Sequence, residues 1–386
     1  MKIAYFTDTF APEVNGVTNT LSKLGTWLDR KNIRHLVFAP DYDGQNPHCD
    51  SSHRRVHRFK GITTSISPKS RLAFPAFWGI DEICDNFMPD VIHVTTEMGI
   101  GFRGMRYAQS RNLPLVMSFH TDYCKYLKYH NLEFMRPVLE NYLAWFYRFS
   151  ARTLAPSRHT LRELLGKGYR SLDIWSRGID VGAFNPGHRN DALRKTLGGG
   201  KFIFLYVGRL SAEKSLDMLL YAAAAIERRF PGRAVFVFTG DGPYIETIHN
   251  ARLANIVCTG FKRGVDLSRI YASADCFAFP SGTETFGNVV LEAMASGLPV
   301  AAVAGGGVTD FLSHNENALL SEPEDTEAFT NNLVSIMENE NLRSRLAGTG
   351  RQTALSRDWN RIFDGLFNVY LDAVEEYHQY SMKNSA

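Results

Sequence analysis

Two kinds of stretch alternate along this chain. Short apolar runs rich in β-branched residues predict strands at Ile3–Thr7, His35–Ala39, Val56–Phe59, Val91–Val94, Leu115–Ser118, Thr153–Ala155 and Leu172–Trp175. Between them apolar residues recur three and four apart, predicting helices near Asn15–Arg30, Trp78–Phe87, Gly99–Arg111, Leu132–Ser150 and Ser157–Leu165. Residues 177–200, rich in Gly, Pro and polar side chains, read as a linker. The alternation then restarts, with strands expected at Phe202–Val207, Ala234–Thr239, Ile256–Thr259, Cys276–Phe279 and Val300–Val303. A helical stretch over Asp358–His378, carrying Phe363, Phe367 and Tyr370, ends the pattern. The expected fold class is α/β: two Rossmann-like domains over residues 1–180 and 181–355, and a C-terminal helix, 356–386, packing back on the first. Ligands of such sheets bind beyond the carboxyl ends of the strands.

With 386 residues, 44% of them hydrophobic and 22% charged, the chain is long enough for two ordinary cores. No apolar run approaches the ~18 residues of a membrane span. The start, Met1–Thr7, reads as a strand rather than a signal peptide. Five scattered cysteines without a C-x-x-C pair argue for a reducing cytoplasm, with neither a disulfide framework nor a zinc site. The net charge of +3 is uneven: residues 1–180 hold 24 basic against 17 acidic residues (+7), leaving 19 against 23 (−4) for 181–386. That asymmetry points the first half toward an anionic surface such as a membrane; a basic face with no partner is the plainer alternative.

The most informative stretch is Pro280–Pro299. An apolar run, Cys276–Pro280, ends in a Ser-Gly-Thr break. Phe286, Val289, Val290, Ala293 and Met294 then recur at helical spacing, and Gly297 stops the helix. Glu284 thus falls in the loop before the helix and Glu292 inside it. The first N–H groups of a helix lack intrahelical partners, and that end is partly positive. The arrangement suits a diphosphate on the amides, with one acid reaching a sugar and the other a ribose. A lone glutamate on a helix is ordinarily just solvated; two flanking a Gly-Asn helix start are harder to dismiss.

Other strand ends carry weaker signals. Asn15-Gly16 opens a helix after the first strand and lets backbone approach an anion, although many βα turns need a Gly only for packing. The G-x-G-x-x-G of a dinucleotide site is missing there. His120, in Ser118-Phe-His-Thr-Asp-Tyr123, is placed to meet a ligand, or is simply a satisfied buried histidine. In Val207–Ser215, Gly208 frees the backbone while Arg209 and Lys214 place two cations at the sheet mouth, a fork and a compact charge suited to a departing diphosphate. The turns at 239–243, 259–261 and 304–308 could admit a base edge or an anion, or be plain turns. Finally, Asp122–Ala151 interleaves aromatics with Lys125, Lys128, Arg136 and Arg148, which suits either an anionic lipid surface or an amphipathic core helix.

Taken together, Asn15-Gly16, the Gly-Arg-Leu…Glu-Lys loop, Gly240-Asp-Gly242 and above all Glu284-Thr-Phe-Gly…Glu292-Ala-Met-Ala-Ser-Gly-Leu-Pro299 resemble the retaining, nucleotide-sugar-dependent glycosyltransferases of the two-Rossmann-domain (GT-B) type, glycosyl transferases group 1. The resemblance covers nearly the whole chain. Ser118-Phe-His-Thr-Asp and Trp175-Ser-Arg-Gly-Ile-Asp180 are similar to GDP-mannose-dependent α-mannosyltransferases and sulfolipid-synthase-like enzymes. The resemblance implies two domains facing across a cleft, with Gly16, Arg209 and Lys214 at the diphosphate and Glu292 on the ribose hydroxyls. Glu284, with the amides of Phe286 and Gly287, would bind the donor hexose, His120 would sit beside its 6-hydroxyl, and Gly208, Thr285 and Asn288 would also belong to the donor site. His120, Arg209, Lys214 and Glu284 would be the catalytic set. Asp310 departs from the family's more usual Glu, so its role stays open.

The implied reaction moves a hexose of mannose or glucose type from a nucleoside diphosphate to an acceptor hydroxyl, lipid-linked if the basic first half meets a membrane. No metal or other cofactor is expected, since no cluster of acids suggests a Mg²⁺ site, and no nucleic-acid partner. The expected location is cytoplasmic, peripheral to the membrane if that contact exists. Two other classes remain: a sugar-nucleotide epimerase, which would need no acceptor, and a non-catalytic sugar-nucleotide-binding module.

Overall fold

In a computed structural model of the chain, residues 1–63, 71–73, 79–127 and 132–385 are described. Trp78 and Lys128, named above, lie outside them. The chain divides into two compact units, Met1–Ser176 with Asn360–Ala386, and Arg177–Trp359.

The first unit is built on an eight-stranded sheet. In spatial order its strands are Arg71–Ala73, Arg54–Thr63, His35–Asp41, Ile3–Phe6, Val91–Val94, Leu115–Ser118, Arg152–Ala155 and Leu172–Ile174. All pairs are parallel except the edge pair Arg54–Thr63 with Arg71–Ala73. The expected strand at Val56–Phe59 is present and extends over Arg54–Thr63; its antiparallel edge partner Arg71–Ala73 was not expected, because three residues are too few to register an alternation. The six strands of the second sheet are all parallel: Ile256–Gly260, Ala234–Thr239, Phe202–Val207, Cys276–Phe279, Val300–Val303 and Leu319–Ser321. Phe204 and Tyr206 face one buried layer while Ile203, Leu205 and Val207 face the other. A parallel strand covered on both faces has no polar side, hence the unbroken run Phe-Ile-Phe-Leu-Tyr-Val.

One further feature departs from expectation, and the packing of the last helix meets it. The stretch read as a linker contains the helix Asp191–Gly198, started by the Asn190 side chain accepting from the Leu193 N–H at 2.8 Å. Its exposed polar face hid the period. At the other end, the helix Trp359–Ser385 rests on the first unit: Phe363 and Phe367 each lie 6.0 Å from the Trp27 ring, and the Tyr370 hydroxyl is 3.2 Å from that of Tyr5.

In each sheet the order reverses beside the first strand of its unit. In the second sheet, successive crossovers run outward from Phe202–Val207 on one side and from Cys276–Phe279 on the other. The loops leaving these two neighbours part at a topological switch point, where open α/β sheets bind ligands.

Candidate active site

Those two loops hold most of the candidate residues. Lys214 ends a single 3₁₀ turn, Ala212–Lys214, and its Nζ lies 2.6 Å from Glu284 Oε1. Lys214 is only 9% exposed, so its ammonium needs the opposite charge nearby. The adjacent Glu213 is buried too: its carboxylate accepts from Ser211 Oγ at 2.5 Å, and its carbonyl accepts from Thr283 Oγ1 at 3.2 Å. The loops are therefore joined by an ion pair and a neutral hydrogen bond. Arg209 is exposed, but its carbonyl is held by the Tyr206 hydroxyl at 2.9 Å. Burial pushes the Tyr206 pKa well up, and the Glu284 and Glu213 carboxylates add to that. Gly208 donates its N–H to the Thr239 carbonyl at 3.0 Å, so it offers room rather than a free amide.

The Glu284 loop leads into the helix Asn288–Ala295 through Gly287, whose φ of +93° is easy only for glycine. Gly287 has no side chain with which to cap the helix. Phe286 is buried against Phe311 (5.4 Å), with the Arg357 guanidinium 5.7 Å from its ring; Thr285 and Asn288 are half-buried. Glu292 Oε2 accepts from the Tyr271 hydroxyl at 2.9 Å. Tyr271 is fully buried; burial first, then Glu292, drives its pKa well up, so it stays a donor. The triple-glycine turn meets the backbone of Glu284. It lies under the acidic loop, with Gly307 donating to the Glu284 carbonyl at 2.7 Å. Asp310 is half-buried just beyond it.

Gly16 and His120 belong to the other unit. Asn15 caps the helix Gly16–Arg30, accepting from the Thr18 N–H at 2.9 Å and donating to Thr9 Oγ1 at 2.7 Å. Gly16 is exposed at the first helical position. His120 is 9% exposed, two residues past the strand Leu115–Ser118, with its ring 5.5 Å from and edge-on to Trp175.

Several residues of these strand ends were not singled out from the sequence. In the second unit they are Tyr206, Glu213 and Tyr271. In the first, Asp8 and Glu97 follow the strands beside that sheet's own switch point. Asp8 accepts from Thr96 Oγ1 (2.6 Å) and the Ile100 N–H (2.8 Å); burial nonetheless pushes its pKa up. Burial lifts Glu97 to about 8, against the opposing bond from the Tyr147 hydroxyl at 2.5 Å. Polar Thr-Thr-Glu directly after an apolar strand was the available signal. Among the described residues no group of three or more His, Cys, Asp and Glu could hold a metal ion.

Comparison with known proteins gives a consistent neighbourhood. Residues 189–353 match the family described as Glycosyl transferases group 1, and residues 14–182 match Glycosyltransferase Family 4. A GDP-mannose-dependent alpha-mannosyltransferase of Mycobacterium tuberculosis is 32% identical over 380 residues, covering 96% of each chain. The sulfoquinovosyl transferase SQD2 of Arabidopsis thaliana is 32% identical over 72% of this chain and 56% of its own. Among solved structures, the sucrose-phosphate synthase from Thermosynechococcus elongatus superposes with a TM-score of 0.80 at 20% identity, over 96% of this chain and 98% of that one.

Proposed function

We propose a function from one premise: this chain belongs to the glycosyl transferases group 1 family, and is a glycosyltransferase with the two-domain GT-B fold. It moves a hexose, of the mannose type carried by GDP, onto an acceptor hydroxyl with retention at the anomeric carbon. The observation that carries this reading is the Lys214–Glu284 pair, 2.6 Å apart where the loops part beside an uncapped helix start.

In the reaction the bond between C1 and the phosphate oxygen breaks, and the diphosphate leaves with the electron pair. The acceptor oxygen bonds C1 on the same face and passes its proton to the leaving phosphate oxygen. Negative charge therefore grows on the diphosphate, and groups already in place for it lower the barrier most. Lys214, Arg209 and the first amides of Asn288–Ala295 supply that charge and those donors. Gly16 is assigned to the diphosphate as well. Glu284, with Thr285 to Asn288, takes the hexose hydroxyls, and Glu292, steadied by Tyr271, takes the ribose. His120 meets the sugar's 6-hydroxyl. The counter-charge comes from side chains, so transfer proceeds without added metal and persists in a chelator.

We assign the acceptor to a lipid-linked hydroxyl at an anionic membrane face on the cytoplasmic side. The support is a surface: Phe134 (77% exposed) and Val138 (66%) project around the start of the helix Arg136–Tyr147, in the more basic unit. Among the described residues no helix is long and apolar enough to cross a membrane.

Lys214→Ala and Glu284→Ala test the site. Each should lose at least ~100-fold in turnover while circular dichroism shows a folded chain. Near-normal transfer by both removes the assignment. A thermal-shift panel of GDP- and UDP-hexoses tests the donor, since a ligand of the folded state raises the melting temperature.

A further inference from the structure

The strand that delivers His120 ends in a buried polar chain reaching the far end of the sequence. Ser118, two residues before His120, has its Oγ hydrogen-bonded to His93 Nε2. The other ring nitrogen, Nδ1, lies 2.6 Å from the Tyr370 hydroxyl, which is in turn 3.2 Å from that of Tyr5. His93 is fully buried on the neighbouring strand, Val91–Val94, with Tyr5, Trp175 and Tyr370 rings around it at 5.3, 5.4 and 5.6 Å. The Trp175 ring at its side is the one that meets His120 edge-on.

We infer that Tyr370, on the C-terminal helix, is a positioning residue that fixes the orientation of the His120 imidazole through His93 and Ser118. A neutral imidazole donates from one nitrogen and accepts at the other. The hydrogen bonds must therefore run one way along the whole chain, from Tyr5 to Ser118 or the reverse. Reversing or cutting one link disturbs the rest, because the members share a single order. Burial lowers the His93 pKa to about 3, so the ring stays neutral and the chain intact across the working pH range. Two routes then connect His93 to His120. One is the backbone from Ser118, whose carbonyl is also held by the Tyr147 hydroxyl at 3.2 Å; the other is the shared Trp175 ring. With both in place, the imidazole has little freedom to swing.

The catalytic consequence rests on the reading of His120 as the residue beside the donor hexose; the orientation itself does not. Tyr370→Phe deletes one hydroxyl and keeps the ring. In histidine-labelled protein, with the His120 signals assigned by their loss in His120→Gln, Tyr370→Phe should shift the His120 ring resonances. Turnover should fall about tenfold at unchanged donor KM, since small misplacements near a reacting centre are expensive. Ser118→Ala should do the same, and serves if Tyr370→Phe does not fold. The double variant should fall no further than the worse single one, because both cut one chain. Glu376→Gln loosens the same helix at its ion pair with Arg152, away from the chain, and should leave rate and resonances unchanged. His120 resonances that coincide with wild type in Tyr370→Phe, or single-variant losses that multiply, overturn the inference. Wild-type transfer by His120→Gln would instead remove the reading of His120 at the donor, while the resonances still decide the link to Tyr370.

Discussion

Gly306 stands where a side chain would strike the backbone of Glu284: a Cβ built there falls 2.2 Å from the Glu284 carbonyl oxygen. Its φ of +65° also lies in the region that L-residues with a Cβ rarely adopt. With Gly307 hydrogen-bonded to the same carbonyl, the acidic loop is seated directly on the triple-glycine turn. Gly306→Ala must push that loop away, and with it the carboxylate paired to Lys214. We expect a loss of about 1–3 kcal/mol in stability. Turnover should drop at least tenfold, since the acid is displaced from its partner. Thermal unfolding and initial rates measure both; an unchanged rate in a folded variant would show that the turn does not position Glu284.

This relationship marks the limit of what the chain's pattern reveals. Apolar runs ending at Val207 and Phe279 showed that Lys214 and Glu284 leave the carboxyl ends of strands, and the parallel sheet put those ends side by side. Nothing local says which glycine lies under which loop. Tyr370 reads as one apolar member of a helical face and no motif marks Tyr271, because periodicity reports that a position is buried and not what its hydroxyl meets. Their partners, Glu292 and His93, lie 21 and 277 residues away. The helix Asp191–Gly198 and the ribbon strand Arg71–Ala73 were lost for another reason: at eight and three residues, neither is long enough to register a period.

Tyr271 gives a test of the donor end of the site. Its one hydroxyl proton is shared between Glu292 at 2.9 Å and the Val289 carbonyl at 3.2 Å, holding the carboxylate close to the helix that bears it. Tyr271→Phe keeps the packing and frees the acid. A hydrogen bond to an ionised group is worth about 1.5–3 kcal/mol, so donor KM should rise roughly tenfold or more. Turnover at saturating donor should change little, because the ribose is remote from the reacting carbon. A lowered kcat with an unchanged KM would place Glu292 elsewhere than on the ribose.

Glu97 predicts a pH dependence of stability. Its carboxyl, ordinarily near 4.5, is lifted to about 8 in the folded protein by burial. Below the ordinary value both folded and unfolded chains hold the proton. As pH rises toward 8 the unfolded chain releases it first, so the stability it contributes drains away across that window and is lost above it. Glu97→Gln cannot ionise, yet keeps an oxygen for the Tyr147 hydroxyl. Its melting temperature should gain on wild type steadily from pH 5 to pH 8. A difference that stays flat with pH would mean that Glu97 is already ionised in the folded state.

The membrane face can be examined separately from catalysis. Arg136 is drawn to Glu133 at 2.7 Å, which reduces the positive charge at the exposed turn and leaves Phe134 and Val138 to make much of the contact. Apolar burial at an interface adds to electrostatic attraction, and each falls to a different perturbation. With vesicles containing anionic lipid, the chain should pellet at low salt and do so less as salt rises, because screening shortens the reach of its basic unit. Phe134→Ser combined with Val138→Ser should release most of the bound protein even at low salt, while transfer to a water-soluble acceptor stays at the wild-type rate. Those residues are remote in sequence from both loops of the donor site, so a parallel loss of soluble transfer would point to misfolding instead. If the wild-type chain fails to pellet at low salt, the acceptor must reach the enzyme from solution.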